Sequence, residues 1–128
     1  MVEKLRKILE SIDRNKGLVS VFAILKMDEL VDKWSLVFSA SWLDDKNSFP
    51  IFQHIQELLK SELTQEELNS IARIGLFKSN EHMVNLITSA FSIKGTSDAY
   101  LKDTKLNGFK IHEAYILRST KEEGGPLN

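Results

Sequence analysis

Polar and apolar positions alternate most clearly in residues 33–43. Aromatic and aliphatic side chains there are separated by single residues, most of them serine, and this period of two predicts a strand with one apolar face. Residues 18–27 form a shorter run, rich in β-branched and aromatic side chains, which predicts another strand. Because a short polar segment joins them, the two strands are expected to pair as an antiparallel hairpin.

Apolar side chains at helical spacing predict four helices. They are expected at residues 2–14, from Ser48 to Leu63, over a short stretch after Thr64, and from Asn80 to about residue 91. Ser48 and Asn80 belong to the residue types that cap helix N-termini. Thr64 and Glu67 have the spacing of a capping box, in which hydroxyl and carboxylate satisfy each other's backbone donors.

Two further patterns predict the remaining strands. Residues 71–78 carry apolar side chains on both faces, as expected of an interior strand that is covered on two sides. Asn107 and Gly108 lie between two strand-like runs, and this dipeptide favours a two-residue type I′ turn. Such a turn fixes a register that pairs Leu106 with Phe109, Asp103 with His112, Lys102 with Glu113, and Tyr100 with Tyr115.

The order of these elements predicts an α+β fold. We expect a single domain at residues 1–119, built on a five-stranded mixed sheet with helices mainly on one face and a C-terminal β-hairpin. Residues 120–128 are polar and contain a glycine pair but no aromatic side chain. They are expected to form a disordered tail.

Composition restricts the classes of function. The 128 residues include 17 basic and 18 acidic side chains, for a net charge of −1, so no overall positive field favours nucleic acid or an anionic membrane. The absence of cysteine excludes disulfides, thiolate metal sites and a cysteine nucleophile. Since no apolar run is long enough to span a membrane or to form a signal peptide, we expect a soluble, cytoplasmic protein.

Catalytic motifs give no assignment. The sequence contains no GxSxG elbow, no GxxxxGK[ST] phosphate loop and no GxGxxG fingerprint. Its three histidines lack the spacing of a metal site. The catalytic residues are therefore unassigned, and neither a cofactor nor a metal ligand is predicted.

One set of polar residues could form a binding site. If the strands at residues 33–43 and 71–78 run parallel, their C-terminal ends emerge at one rim of the sheet, where ligands often bind. The candidate ligand-binding residues of this rim are Trp42, Asp44, Asp45, Asn80 and His82. Each acidic or amide residue among them also suits a turn or a helix cap, and Trp42 also suits the core, so purely structural roles remain the simpler interpretation.

The functional hypothesis is a small non-enzymatic protein that acts by association with itself, as a homodimer for example, or with another protein. Charge is distributed unevenly, since residues 28–67 hold nine acidic and three basic side chains while residues 1–27 hold six basic and three acidic ones. Free sheet edges must be paired or protected. Residues 18–27 are the expected dimer edge, and the lysines of the last hairpin are expected to protect another edge.

Two other hypotheses stay open. The first is a metal-assisted hydrolase or a small-ligand-binding protein that uses the Asp44, Asp45, Asn80 and His82 rim. The second is nucleic-acid binding through the lysines of the last hairpin, which a group of three lysines without an aromatic platform does not favour.

Overall fold

The computed structural model describes residues 1–27 and 32–121, and they confirm the predicted order of elements. The elements are α1 (Val2–Asn15), β1 (Val21–Met27), β2 (Trp34–Ser39), α2 (Ser48–Glu62), α3 (Gln65–Asn69), β3 (Ile71–Phe77), α4 (His82–Ala90), β4 (Ala99–Leu106) and β5 (Phe109–Ser119). The five strands form one mixed sheet, so the α+β prediction is confirmed. Residues 122–128, most of the predicted tail, lie outside the described residues.

The sheet has the order β3-β2-β1-β5-β4. β1 pairs antiparallel with β2, as predicted, although residues 28–31 of the connection lie outside the described part. β1 also pairs with β5 on its other side. The prediction that residues 18–27 form a dimer edge is therefore wrong, because both sides of β1 already belong to the ladder.

The prediction of an interior strand at residues 71–78 is also wrong. β3 pairs in parallel with β2 and is the outermost strand on that side of the sheet. Its apolar residues face both layers, since Ile74 packs with the core beneath α1 and α2 while Phe77 packs with the core beneath α4. Coverage of both faces therefore does not require a neighbouring strand on both sides.

The core consists of two layers separated by the sheet. Three helices contribute to the first layer, in which Leu9 of α1 and Ile55 of α2 are fully buried and Leu68 of α3 packs at the margin. The second layer lies beneath α4, where Val84 and Ile87 are buried. The helices thus lie mainly on one face, as predicted.

The last hairpin has the predicted register. Tyr100 pairs with Tyr115, Lys102 with Glu113, and Leu106 with Phe109. Asn107 and Gly108 both adopt positive φ, at 52° and 90°, as a type I′ turn requires. The predicted register passes unchanged through Asp103, since Lys102 pairs with Glu113 and Thr104 with Ile111, although Asp103 itself has a φ of 49° that departs from extended geometry.

Two predicted helix caps are shifted by one residue. The N-cap of α2 is Asn47 rather than Ser48, and the N-cap of α4 is Glu81 rather than Asn80. Neither side chain accepts a capping hydrogen bond from its own helix. The Asn47 amide oxygen instead accepts from the Asp44 N–H, so this side chain is used in the turn before the helix.

The predicted capping box of α3 is confirmed, and it also connects α3 to α1. The Thr64 hydroxyl accepts from the Glu67 N–H, and the Glu67 carboxylate accepts from the Thr64 N–H at 2.9 Å. Lys4 Nζ donates to the same carboxylate at 2.8 Å. The hydrogen bonds that the Glu67 carboxylate accepts, first from Lys4 and then from the Thr64 N–H, lower the pKa of Glu67 from 4.5 to about 2. The start of β3 is thereby fixed to the helical layer.

The depressed pKa of Glu67 predicts a pH-dependent stability. The carboxylate stabilises the fold fully above pH 4.5, and this contribution is lost as the pH falls through about 2. We expect Glu67→Gln to lower the Tm at neutral pH, and the difference from the wild type to shrink as the pH falls. Thermal unfolding followed by circular dichroism between neutral pH and pH 2 measures it. Glu66→Gln on the same short helix is the matched control, and equal losses in both variants would contradict the prediction.

Within residues 1–27 and 32–121, no helix combines the length and the apolar character that crossing a membrane requires.

Candidate functional site

The C-terminal ends of β2 and β3 lie side by side, as the parallel arrangement predicts. Ser39 pairs with Phe77 at the end of the ladder. A cavity of about 390 Å³ lies between the two segments that follow these strands. Its lining residues are Leu43, Asp44, Asp45, Ser48, Leu76, Lys78 and Glu81. Asp44 and Asp45 are therefore brought together at this rim, and they share it with Lys78 and Glu81.

The carboxylates of this rim already have partners in the chain. Asp45 forms an exposed ion pair with Lys78 at 2.8 Å. This hydrogen bond, together with the charge of Asp45, raises the pKa of Lys78. Asp44 Oδ1 accepts from the N–H groups of Lys46 and Asn47 at 2.8 and 2.9 Å, and Glu81 accepts from the Lys78 N–H. These side chains shape the turns that begin α2 and α4.

The other predicted site residues do not line this cavity. His82 is the first residue of α4, and its ring lies 6.0 Å from that of Phe109 at the tip of the last hairpin. The Asn80 side chain is exposed, and its backbone carbonyl accepts from Asn85. Trp42 is half-buried against Phe38, and its indole N–H donates to the Leu18 carbonyl at 2.9 Å. The structure thus distributes the predicted set over three places.

Metal binding has no support in the part of the chain that the structure describes. There, no group of three or more histidine and carboxylate side chains is placed to hold an ion. At the rim, the ammonium group of Lys78 contacts the Asp45 carboxylate. It thereby occupies the position in which a metal ion would bind this carboxylate. The rim geometry therefore favours an ion-paired turn.

The outer side of β3 is a second candidate site. In the described part of the chain, no strand pairs with it on that side. The one charged residue of β3 is Arg73, which is exposed and whose Nε donates to Ser35 Oγ on β2 at 2.8 Å. An edge with unpaired peptide groups and few charges is a template for pairing with another strand.

Grooves lie along both faces of this edge. On the α2 side a groove of about 250 Å³ is formed by apolar side chains of α2, α3 and β3, with Gln56, Lys60 and Arg73 at its margin. On the α4 side a groove of about 260 Å³ contains Gly75, Phe77 and Met83. A strand added at this edge would direct alternate side chains to opposite faces of the sheet. Each groove would therefore receive every second side chain of the added strand.

The opposite edge of the sheet is protected. β4 carries exposed Lys102 and Lys105, and Asp103 between them has a positive φ of 49°. Lysines and local irregularities are the features by which natural sheets prevent edge-to-edge pairing. The two edges therefore differ in charge, since β4 exposes two lysines and β3 one arginine.

Gly75 leaves room for the Phe77 ring on the α4 side of the edge. The effects of mutating Gly75 and Phe77 on stability are therefore expected to be coupled. A Cβ atom at Gly75 would lie 2.6 Å from Cε2 of the Phe77 ring, so Gly75→Ala must displace the ring. We expect a loss of about 1 kcal/mol in the free energy of unfolding. In a Phe77→Ala background the same change should be neutral or stabilising, because alanine restricts the unfolded chain. Urea unfolding of the four proteins measures this, and additive effects would contradict it.

The apolar pattern of residues 71–78 predicts an interior strand, so it does not mark β3 as a site. Charge gives no signal either, since β3 and the central strand β1 each hold one charged side chain, Arg73 and Lys26. Comparisons with protein-family models, curated proteins and solved structures found no match for this chain.

Proposed function

We propose that this chain is a non-enzymatic interaction domain that binds polypeptide by strand addition at β3. The observation that carries the proposal is the outer side of β3, which no strand of the described residues pairs with and which a groove flanks on each face. Main-chain hydrogen bonds to the edge supply affinity in this mode of recognition, and the grooves select the side chains of the added strand. The absence of cysteine is in keeping with a cytoplasmic setting for this role.

The contrast between the edges supports binding at one place. Strand addition at β4 would bring the incoming chain against Lys102 and Lys105 and across the irregular backbone at Asp103. At β3 the incoming chain would meet apolar side chains such as Ile74 and Leu76, which are already half-buried. Addition at β3 therefore avoids the two exposed lysines that an added strand would meet at β4.

Site-specific photocrosslinking tests this proposal. Ala72 is an exposed residue of β3 at which the ladder with β2 is irregular, so it tolerates a larger side chain. We expect Ala72→p-benzoylphenylalanine to form a light-dependent adduct with a polypeptide, own or foreign, in native lysate and in purified samples. Tryptic mass spectrometry identifies the crosslinked chain.

The matched control is Asp103→p-benzoylphenylalanine, which places the same probe on the protected edge. We expect it to give no specific adduct, because β4 repels an added strand. If position 72 crosslinks to no polypeptide, or if both positions crosslink to the same partners with equal yield, strand addition at β3 is refuted.

A further inference from the structure

We infer that the strand added to β3 is β3 of a second copy, paired antiparallel about a two-fold axis at Gly75. This inference rests on the proposed function and names its partner. It joins two sheets into a continuous sheet across the dimer.

The regular part of β3 is symmetric about Gly75. The ladder with β2 is regular from Arg73 to Phe77, after an irregularity next to Trp34. Antiparallel pairing centred on Gly75 sets Arg73 opposite Phe77, and Ile74 opposite Leu76, of the second copy. Alternate residues of a strand direct their peptide groups to opposite sides. Each of these pairs joins two odd-numbered or two even-numbered residues, so the outward-facing peptide groups of one copy meet those of the other.

The side chains of these pairs are compatible. Directly opposite residues share a face of the sheet. Ile74 and Leu76 both pack with the core beneath α1 and α2, so their pair would continue an apolar layer. Arg73 and Phe77 both line the groove on the α4 side, and Arg73 Nε donates to Ser35 Oγ. In the proposed dimer, the Arg73 guanidinium of one copy would lie opposite the Phe77 ring of the other, an arrangement that favours a cation–π contact.

Charge selects the antiparallel orientation. The groove beside the N-terminal half of β3 carries Lys60 and Arg73 without a carboxylate. The cavity at the C-terminal end carries three carboxylates against the single ammonium group of Lys78. Antiparallel pairing places the positive end of each copy beside the negative end of the other, and parallel pairing would place like charges together. The edge is thus complementary to itself in the orientation that a two-fold axis imposes.

Sedimentation equilibrium with charge-reversed variants tests the pairing. We expect a monomer–dimer equilibrium in the wild-type chain, and a dissociation constant raised about three- to tenfold by either Lys60→Glu or Asp45→Lys, because each exposed contact occurs twice in the dimer. The double variant should restore association. Lys105→Glu, on the protected edge, is the control and should change nothing. Equal weakening by the control, or no recovery in the double variant, would overturn the charge argument.

Cysteine pairs test the register, because the chain contains no cysteine of its own. A mixture of Ile74→Cys and Leu76→Cys proteins should form a mixed disulfide dimer faster than either variant alone. Circular dichroism verifies that both variants fold. If Ile74→Cys alone crosslinks as fast as the mixture, the axis at Gly75 is wrong.

The outcomes separate this inference from the proposed function. A wild-type chain that stays monomeric up to millimolar concentration, while the probe at Ala72 crosslinks to a different protein, refutes the second copy and leaves strand addition in place. A monomer whose probe at Ala72 crosslinks to nothing refutes both. A dimer crosslinked through Ala72 to its own β3 supports both.

Discussion

The parallel pairing of β2 with β3 is the constraint on which the rest of the structure depends. A chain that leaves β2 must return to the opposite end of the sheet before β3 can run alongside, and α2 and α3 make that return across one face. The stripe of Ile51, Ile55 and Leu59 on α2 supplies the apolar contact that holds the crossover against the sheet. The same pairing brings the turns after both strands together and places β3 at the margin.

The central strand shows how the sheet divides the core. Along β1, Phe22 and Ile24 belong to the layer beneath α1 and α2, while Val21, Ala23 and Leu25 belong to the layer beneath α4. All five are at most 1% exposed. A strand with neighbours on every side needs apolar residues at consecutive positions, and the continuous run in residues 18–27 is the sequence counterpart of that requirement.

Local patterns were sufficient to predict the elements, the hairpin of β1 with β2 and the register of β4 with β5, because each depends on residues close in sequence. Lateral position in the sheet was not predictable in this way. β1 and β3 are both apolar on two faces, yet one lies at the centre and the other at the margin. The difference arises from which distant strand pairs where, and the side chains of the strand itself do not encode it.

The rim shows the same limit at the scale of single residues. Parallel strands predicted that Asp44 and Asp45 approach the segment after β3, and Lys78 and Glu81 are the residues found there. Glu81 has extended backbone and lines the rim cavity, whereas His82, the first helical residue, lines the cavity beside the last hairpin. A prediction that is correct to within one residue can still send a side chain to a different surface.

The difference between β3 and β4 would also limit the association proposed above. A sheet that pairs at both edges can grow into a fibre, because every addition exposes a fresh edge. Exposed Lys102 and Lys105 and the positive φ at Asp103 oppose pairing at β4. If β3 is the one edge that pairs, its occupation leaves a closed assembly to which no further copy adds.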